Sequence, residues 1–217
     1  MNLKKKKINF LGDSITEGVG VSDPENIYLN ILKREAALGA ARNYGLGGTR
    51  IAAQLTPSNP DWDRDFISRV DRMEPDADLV VVFGGTNDFG HGDAPLGCFA
   101  DRTPYTFYGA CRVLMERIIC KYPESAVVFL TPLHRWNEDN KKGDGKKADV
   151  AELSVYVEII KETARYYAIP VLDLFAVSGI QPRMQTLRDL YCPDGLHPND
   201  KGHALIAARL RGFLNSL

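Results

Sequence analysis

The sequence predicts an α/β domain of three layers, a parallel sheet covered on both faces by helices. Three observations carry that prediction. Short, β-branched apolar runs alternate five times with segments whose apolar residues recur every three or four positions. A polar or glycine-containing break follows several of these runs directly, as at the ends of parallel strands. No repeat, low-complexity stretch or linker divides the 217 residues, so a single domain spanning 1–217 is expected.

The first strand is the apolar run Ile8, Phe10, Leu11, which stops at Gly12-Asp13-Ser14. Asp23-Pro24 opens a helix that turns Tyr28, Ile31 and Leu32 inward and ends near Leu38-Gly39. Ala41 to Tyr44 form the second strand, followed by Gly45-Leu46-Gly47-Gly48. Arg50 stands where a dinucleotide fingerprint needs its third glycine, so that cofactor is not expected. A helix is expected over Asp61 to Met73, and Asp78 to Phe83 reads as a central strand ending in Gly84-Gly85-Thr86-Asn87-Asp88. Phe107, Cys111, Leu114 and Ile118 share one helical stripe. Ser125 to Leu130 is the fourth strand, and Val150, Leu153, Val157, Ile160, Ala164 and Tyr167 mark the clearest helix. Ile169 to Leu174 is the fifth strand. An irregular stretch then leads to Asp194-Gly195-Leu196-His197-Pro198 and a last helix with Ile206, Leu210, Phe213, Leu214 and Leu217 facing in.

A formal net charge of −1 supplies no field for nucleic acid or a membrane surface, and neither is expected as a partner. The basic run Lys4 to Lys7 reads as a solvated lead-in to the first strand. The apolar segment behind it is too short for a signal peptide or a membrane span, which points to the cytoplasm. Cys98, Cys111, Cys120 and Cys192 have no CxxC or metal-ligand spacing and read as free thiols. No pair of histidines has helical i,i+4 spacing, so no metal site is expected; His91, His134 and His203 read as surface or loop residues.

The polar motifs fall where chemistry is placed in such folds. Strands of a parallel sheet point one way, so the loops after them share one edge, and ligands bind there. Asp13-Ser14, Gly48 and Asn87-Asp88 follow the first three strands, and Asp194 and His197 precede the last helix. A serine needs a neighbouring base to become a nucleophile, and histidine titrates in the right range. Ser14 is therefore the candidate nucleophile, His197 its base and Asp194 the group that orients the imidazole. The Ser14 amide, the Gly48 amide and the Asn87 side chain are the candidate oxyanion donors; Asp88 reads as structural. Ser14-Ile15-Thr16-Glu17 also fits a capping box, in which the serine would serve only the helix terminus. A nucleophile with its own amide in the oxyanion hole requires Glu17 to point elsewhere.

Gly12-Asp13-Ser14, Asn43-Tyr44-Gly45-Leu46-Gly47-Gly48, Gly85-Thr86-Asn87-Asp88 and Asp194-Gly195-Leu196-His197-Pro198 resemble, in order, the four blocks of the SGNH or GDSL-like hydrolases. The resemblance spans Gly12 to Pro198. It implies a flavodoxin-like sheet of order 2-1-3-4-5, no cofactor, and hydrolysis of carboxylic esters through an acyl-enzyme. It aligns Gly48 with the oxyanion glycine, with Gly45 and Gly47 as neighbours able to serve instead.

Two long polar loops, Phe89 to Thr103 and His134 to Lys147, should border the site. They are poor material for an acyl tunnel and favour a small-molecule ester, a short acyl group on a polar alcohol such as a sugar. Asp13, Phe89, Arg102, Arg135 and Trp136 are the candidate substrate contacts. The alternatives are a lysophospholipase or thioesterase, or a non-catalytic flavodoxin-like protein binding phosphate or flavin at Gly12 to Gly18.

Overall fold

A computed structural model describes all residues, 1–217. Its sheet has five parallel strands, β1 (Lys7–Gly12), β2 (Ala40–Gly45), β3 (Leu79–Phe83), β4 (Ala126–Leu130) and β5 (Val171–Leu172), in the order 2-1-3-4-5. The register sets Gly12 beside Gly45 and Phe83, and Phe83 beside Leu130, so the C-terminal ends of β1 to β4 share one edge.

Strand alternation sorts the core into two halves. From β3, Val80 and Val82 face the long helices α5 (Phe107–Lys121) and α6 (Leu153–Tyr166) in one cluster with Phe107, Cys111, Leu114, Ile118 and Ile160. Leu79, Val81 and Phe83 face the other way, toward α2 (Tyr28–Glu35) and α9 (Asp200–Ser216), and pack with Leu29, Leu32, Ile206, Leu210 and Leu214. β3 is buried along its whole length, as a strand covered on both faces must be. Edge strand β2 has no fully buried residue.

Several elements differ from expectation. The helix expected over Asp61 to Met73 is a turn followed by α3 (Phe66–Arg69) and a 3₁₀ turn, Val70–Arg72. Asp65 caps α3 through the Ser68 N–H at 2.9 Å, while Asp63 turns back to the Ser58 N–H at 2.7 Å, so the chain enters the helix only at Phe66. Pro24–Asn26 is a 3₁₀ turn separate from α2, because Ile27 between them is extended. The fifth strand is only two residues long. The stretch after it contains α7 (Leu174–Val177), capped by Asp173, and α8 (Gln185–Tyr191). In α9, Phe213 is only half-buried and Leu217 beyond its end is exposed. Lys6 and Lys7 pair with Asp78 and Asp76 at the surface, and all four cysteines are unpaired. No helix is long and apolar enough to cross a membrane.

Candidate active site

The end of β1 is shaped by Gly12. A Cβ there would lie 2.0 Å from Thr16 Oγ1 and 3.0 Å from the Phe83 carbonyl, so only glycine lets the chain turn into the short helix α1 (Ser14–Glu17). Asp13, not Ser14, caps that helix: its Oδ1 accepts from the Ile15 N–H at 3.0 Å. Glu17 accepts the Gly47 N–H at 2.8 Å instead of reaching back to Ser14. The capping box is therefore absent. The Ser14 hydroxyl faces His197, with 3.0 Å between Oγ and Nε2.

His197 is oriented by a compact local device. Asp194 Oδ1 accepts from the backbone N–H groups of Leu196 and His197 at 2.8 and 2.7 Å, and Oδ2 lies 2.7 Å from His197 Nδ1. Gly195, at φ +79°, makes the turn that brings carboxylate and imidazole together three residues apart. Partial burial of Asp194 works against its charge, but the imidazole and the two backbone donors outweigh it and hold the carboxyl at about 2. Asn199 caps α9 immediately beyond, fixing the loop to the helix.

The three candidate donors lie on the segments that follow β1, β2 and β3. Neither the Ser14 N–H nor the Gly48 N–H has an acceptor within the protein, whereas the Gly45 and Gly47 amides are occupied by Asn43 Oδ1 and Glu17 Oε2. The Asn87 amide, in the short helix α4 (Thr86–Gly90), donates one hydrogen to the Thr49 carbonyl at 3.0 Å, leaving its second hydrogen available. The loop carrying Gly48 is held from several sides. Arg69 donates to the carbonyls of Gly12 and Tyr44 and to Thr49 Oγ1 at 3.0, 2.7 and 3.0 Å. Buried Asp88 accepts from the Ile51 and Ala52 amides at 2.9 and 2.8 Å. Burial lowers the Arg69 guanidinium to about 10 and raises Asp88 above the usual carboxylate range.

The candidate substrate contacts divide sharply. Asp13 is 1% exposed and lies under the serine turn; burial lifts its carboxyl to about 6, and its Oδ2 has no partner. Phe89 is fully buried, edge-on to Tyr156 with ring centroids 6.0 Å apart, and the Arg135 guanidinium sits over its ring. Arg135 itself is 2% exposed, bonded to the Thr86 carbonyl at 3.3 Å and to Asp144 at 2.6 Å. Arg102 donates to the carbonyls of Phe99 and Asp101 in its own loop. These four are corrections: three are enclosed by the scaffold and the fourth is spent on its own turn. Trp136 differs. It is exposed, its backbone N–H donates to the Gly195 carbonyl at 3.0 Å, and its ring occupies the space a Gly195 Cβ would need.

Two residues at this edge were not anticipated. Arg69 carries no sequence signal, being one arginine on a short helix. Trp62 was hidden inside the expected helix over Asp61 to Met73, yet its indole lies against Gly48. Of the histidines, His203 is buried in α9, where Nδ1 accepts the Tyr28 N–H at 3.2 Å; this corrects its reading as a surface or loop residue. His91 is half-buried between Arg50 and Trp62, and His134 pairs with Glu138. No group of three or more His, Cys, Asp or Glu side chains is arranged to hold a metal ion.

A serine–imidazole–carboxylate relay at the C-terminal edge of a doubly wound parallel sheet is the arrangement of an α/β serine hydrolase. Residues 10–205 match the family model of the GDSL-like lipase/acylhydrolase family. The chain belongs to that family and is a serine ester hydrolase. With this, the non-catalytic ligand-binding alternative lapses. Among solved structures, a protein from Lactobacillus plantarum is 30% identical with a TM-score of 0.83, covering 98% of both chains. A protein from Bacteroides uniformis, provisionally assigned as a GDSL-like lipase, is 20% identical with a TM-score of 0.71 over 98% of this chain and 97% of that one. A two-domain esterase active on acetylated mannans is 23% identical with a TM-score of 0.64, covering 97% of this chain and 48% of that one. The last two likenesses speak to the fold alone. No curated protein gives a significant sequence match.

Proposed function

We propose that the chain removes a short, acetyl-type acyl group from a polar or sugar alcohol, with Ser14 as nucleophile, His197 as general base and acid, and Asp194 as the orienting carboxylate. The observation that carries this is the unbroken relay from Ser14 Oγ through both imidazole nitrogens to Asp194 Oδ2, at 3.0 and 2.7 Å. His197 Nε2 takes the hydroxyl proton as Oγ attacks the ester carbonyl. The carbonyl oxygen becomes an oxyanion held by the Ser14 and Gly48 amides and the free hydrogen of Asn87. Collapse of this intermediate breaks the bond to the alcohol oxygen, which receives the proton from His197. The acyl group stays on Ser14. Water, deprotonated by the same nitrogen, then attacks that acyl-serine; the bond to Oγ breaks, Oγ takes the proton back from His197, and the carboxylic acid is released. Asp194 remains ionised throughout, since its carboxyl is held at about 2.

The short acyl group is supported by what fills the edge beyond β3 and β4. Buried Phe89, Arg135 and Asn137, the last bonded to Asp144, occupy that region with a packed polar network instead of an apolar tunnel. A polar alcohol is in keeping with the same surroundings, and one protein of this fold acts on acetylated mannans.

The test is an ester panel of rising acyl length beside acetylated sugars, with Ser14→Ala as control. The expected result is preference for acetyl esters and loss of turnover in the variant. Preference for long-chain esters would instead support the lysophospholipase or thioesterase reading, and residual turnover in Ser14→Ala would remove the serine from its role.

A further inference from the structure

The chain has two tryptophans, and both stand exposed beside the catalytic loops: Trp136 on Gly195, Trp62 on Gly48. Trp62 has no role in the reaction steps, yet it is built in with care. It is 41% exposed, and its pyrrole edge is so close to Gly48 that a Cβ there would lie 2.2 Å from Cδ1 and 2.4 Å from Nε1. The indole leans on the His91 ring, centroids 4.8 Å apart at 39°. His91 Nδ1 is 3.0 Å from buried Arg50, which also pairs with Asp63, the residue next to Trp62. Asp63 in turn closes the preceding loop through Ser58. The indole N–H has no acceptor in the protein.

An exposed aromatic ring braced from behind in this way is held ready for a ligand at little further cost in side-chain entropy. Its position selects the ligand. The β3–β4 side is filled by the Phe89–Arg135–Asp144 network, whereas on the β2 side the Trp62 ring beside Gly48 is exposed to solvent. We propose that Trp62 is a specificity-determining platform on which the sugar ring of the substrate's alcohol stacks, its apolar C–H face on the indole and one hydroxyl accepting from the indole N–H. This rests on the esterase reading above and specifies its alcohol as a pyranose.

The experiment compares kcat/KM for a mono-O-acetylated glucopyranose, which keeps free hydroxyls, with that for ethyl acetate, which has no ring, in wild type, Trp62→Ala and Trp62→Phe. In Trp62→Ala the ratio of sugar ester to ethyl ester should fall about tenfold, mainly through a raised KM for the sugar, the size expected for a lost stacking surface. Trp62→Phe, which keeps a ring, should restore most of the ratio. As a measurement independent of turnover, Ser14→Ala protein titrated with the sugar acetate should show a change in tryptophan fluorescence that is lost in Ser14→Ala/Trp62→Phe. An unchanged ratio in Trp62→Ala, or an equal loss on both esters, would overturn the proposal and leave Trp62 as a prop for Gly48. If wild type hydrolyses neither ester, it is the esterase reading that fails; if it hydrolyses ethyl acetate and the ratio does not move, only the platform fails.

Discussion

A methyl group added at Gly48 tests how tightly the proposed oxyanion loop is positioned. Its Cβ would lie 2.2, 2.4 and 2.6 Å from Cδ1, Nε1 and Cγ of Trp62. Carbon atoms rest at about 3.5–4.0 Å, so ring and loop must part by about 1.3 Å. The indole is backed by His91 and does not swing freely, so the displacement falls largely on the loop. The left-handed φ of +72° adds about 1–2 kcal/mol of strain for any L residue. An amide moved by an ångström leaves the distance window of an oxyanion donor, and losing one donor costs about 2.7–4 kcal/mol, or about 10²–10³ in kcat. Gly48→Ala should therefore lower kcat on ethyl acetate by that factor and reduce the melting temperature. The double variant Gly48→Ala/Trp62→Ala removes the collision and keeps the φ strain, and should recover at least about tenfold in kcat. A kcat for Gly48→Ala within threefold of wild type, with melting unchanged, would refute the claim that Trp62 and Gly48 are fixed against each other.

Asn87→Ala removes another proposed donor and with it the tether to the Thr49 carbonyl; turnover should fall by about two to three orders of magnitude with KM little changed, measured by steady-state kinetics. In Asp194→Asn the amide would face His197 Nδ1 and force the proton onto Nε2, where it blocks the Ser14 hydroxyl; kcat should drop by about 10³–10⁴, with the tautomer read by nitrogen-15 NMR. Burial holds His203 down to about 4 in the folded protein, below its ordinary 6.5. The stability this neutral histidine lends is present above pH 6.5 and is lost as pH falls toward and through 4, because the unfolded chain takes the proton first. His203→Asn should then lose less stability than wild type between pH 7 and 4.5, by up to about 3 kcal/mol in urea unfolding.

The sheet was legible because its central strand is a continuous run, Leu79 to Phe83, that only a doubly covered position explains. Ser14 and Asn87 could be singled out because parallel strands gather the loops after them at one edge, and Asp194 and His197 because a carboxylate three residues before an imidazole across a glycine turn can orient it. Local chemistry was less readable. Asp13 and Ser14 are both good caps, and which side chain turns back to Ile15 depends on where Gly12 bends the chain. Arg135 in a polar loop reads as a substrate contact, but Asp144, nine residues on, pairs with it and draws it inside; composition carries no trace of that pairing. Phe89 follows the same logic, since an aromatic residue in a polar loop looks available until a guanidinium covers it. Trp62 and Arg69 were missed because their value lies in what they touch, Gly48 in one case and two strand ends in the other.

The strand that delivers Gly48 is β2, an edge strand with no fully buried residue. Sheet margins are where opening begins, at free energies well below that of whole-molecule unfolding. Fraying there would carry one proposed oxyanion donor away while Ser14 and His197 stayed in place. Glu17, Arg69, Asn87 and Asp88 each stitch the segment after β2 to another element, and so act as local fasteners against that event. Turnover and compactness thus have separate thresholds in this molecule: on warming, amide exchange should quicken around Tyr44 to Ala52 and activity should fade while both halves of the core remain closed.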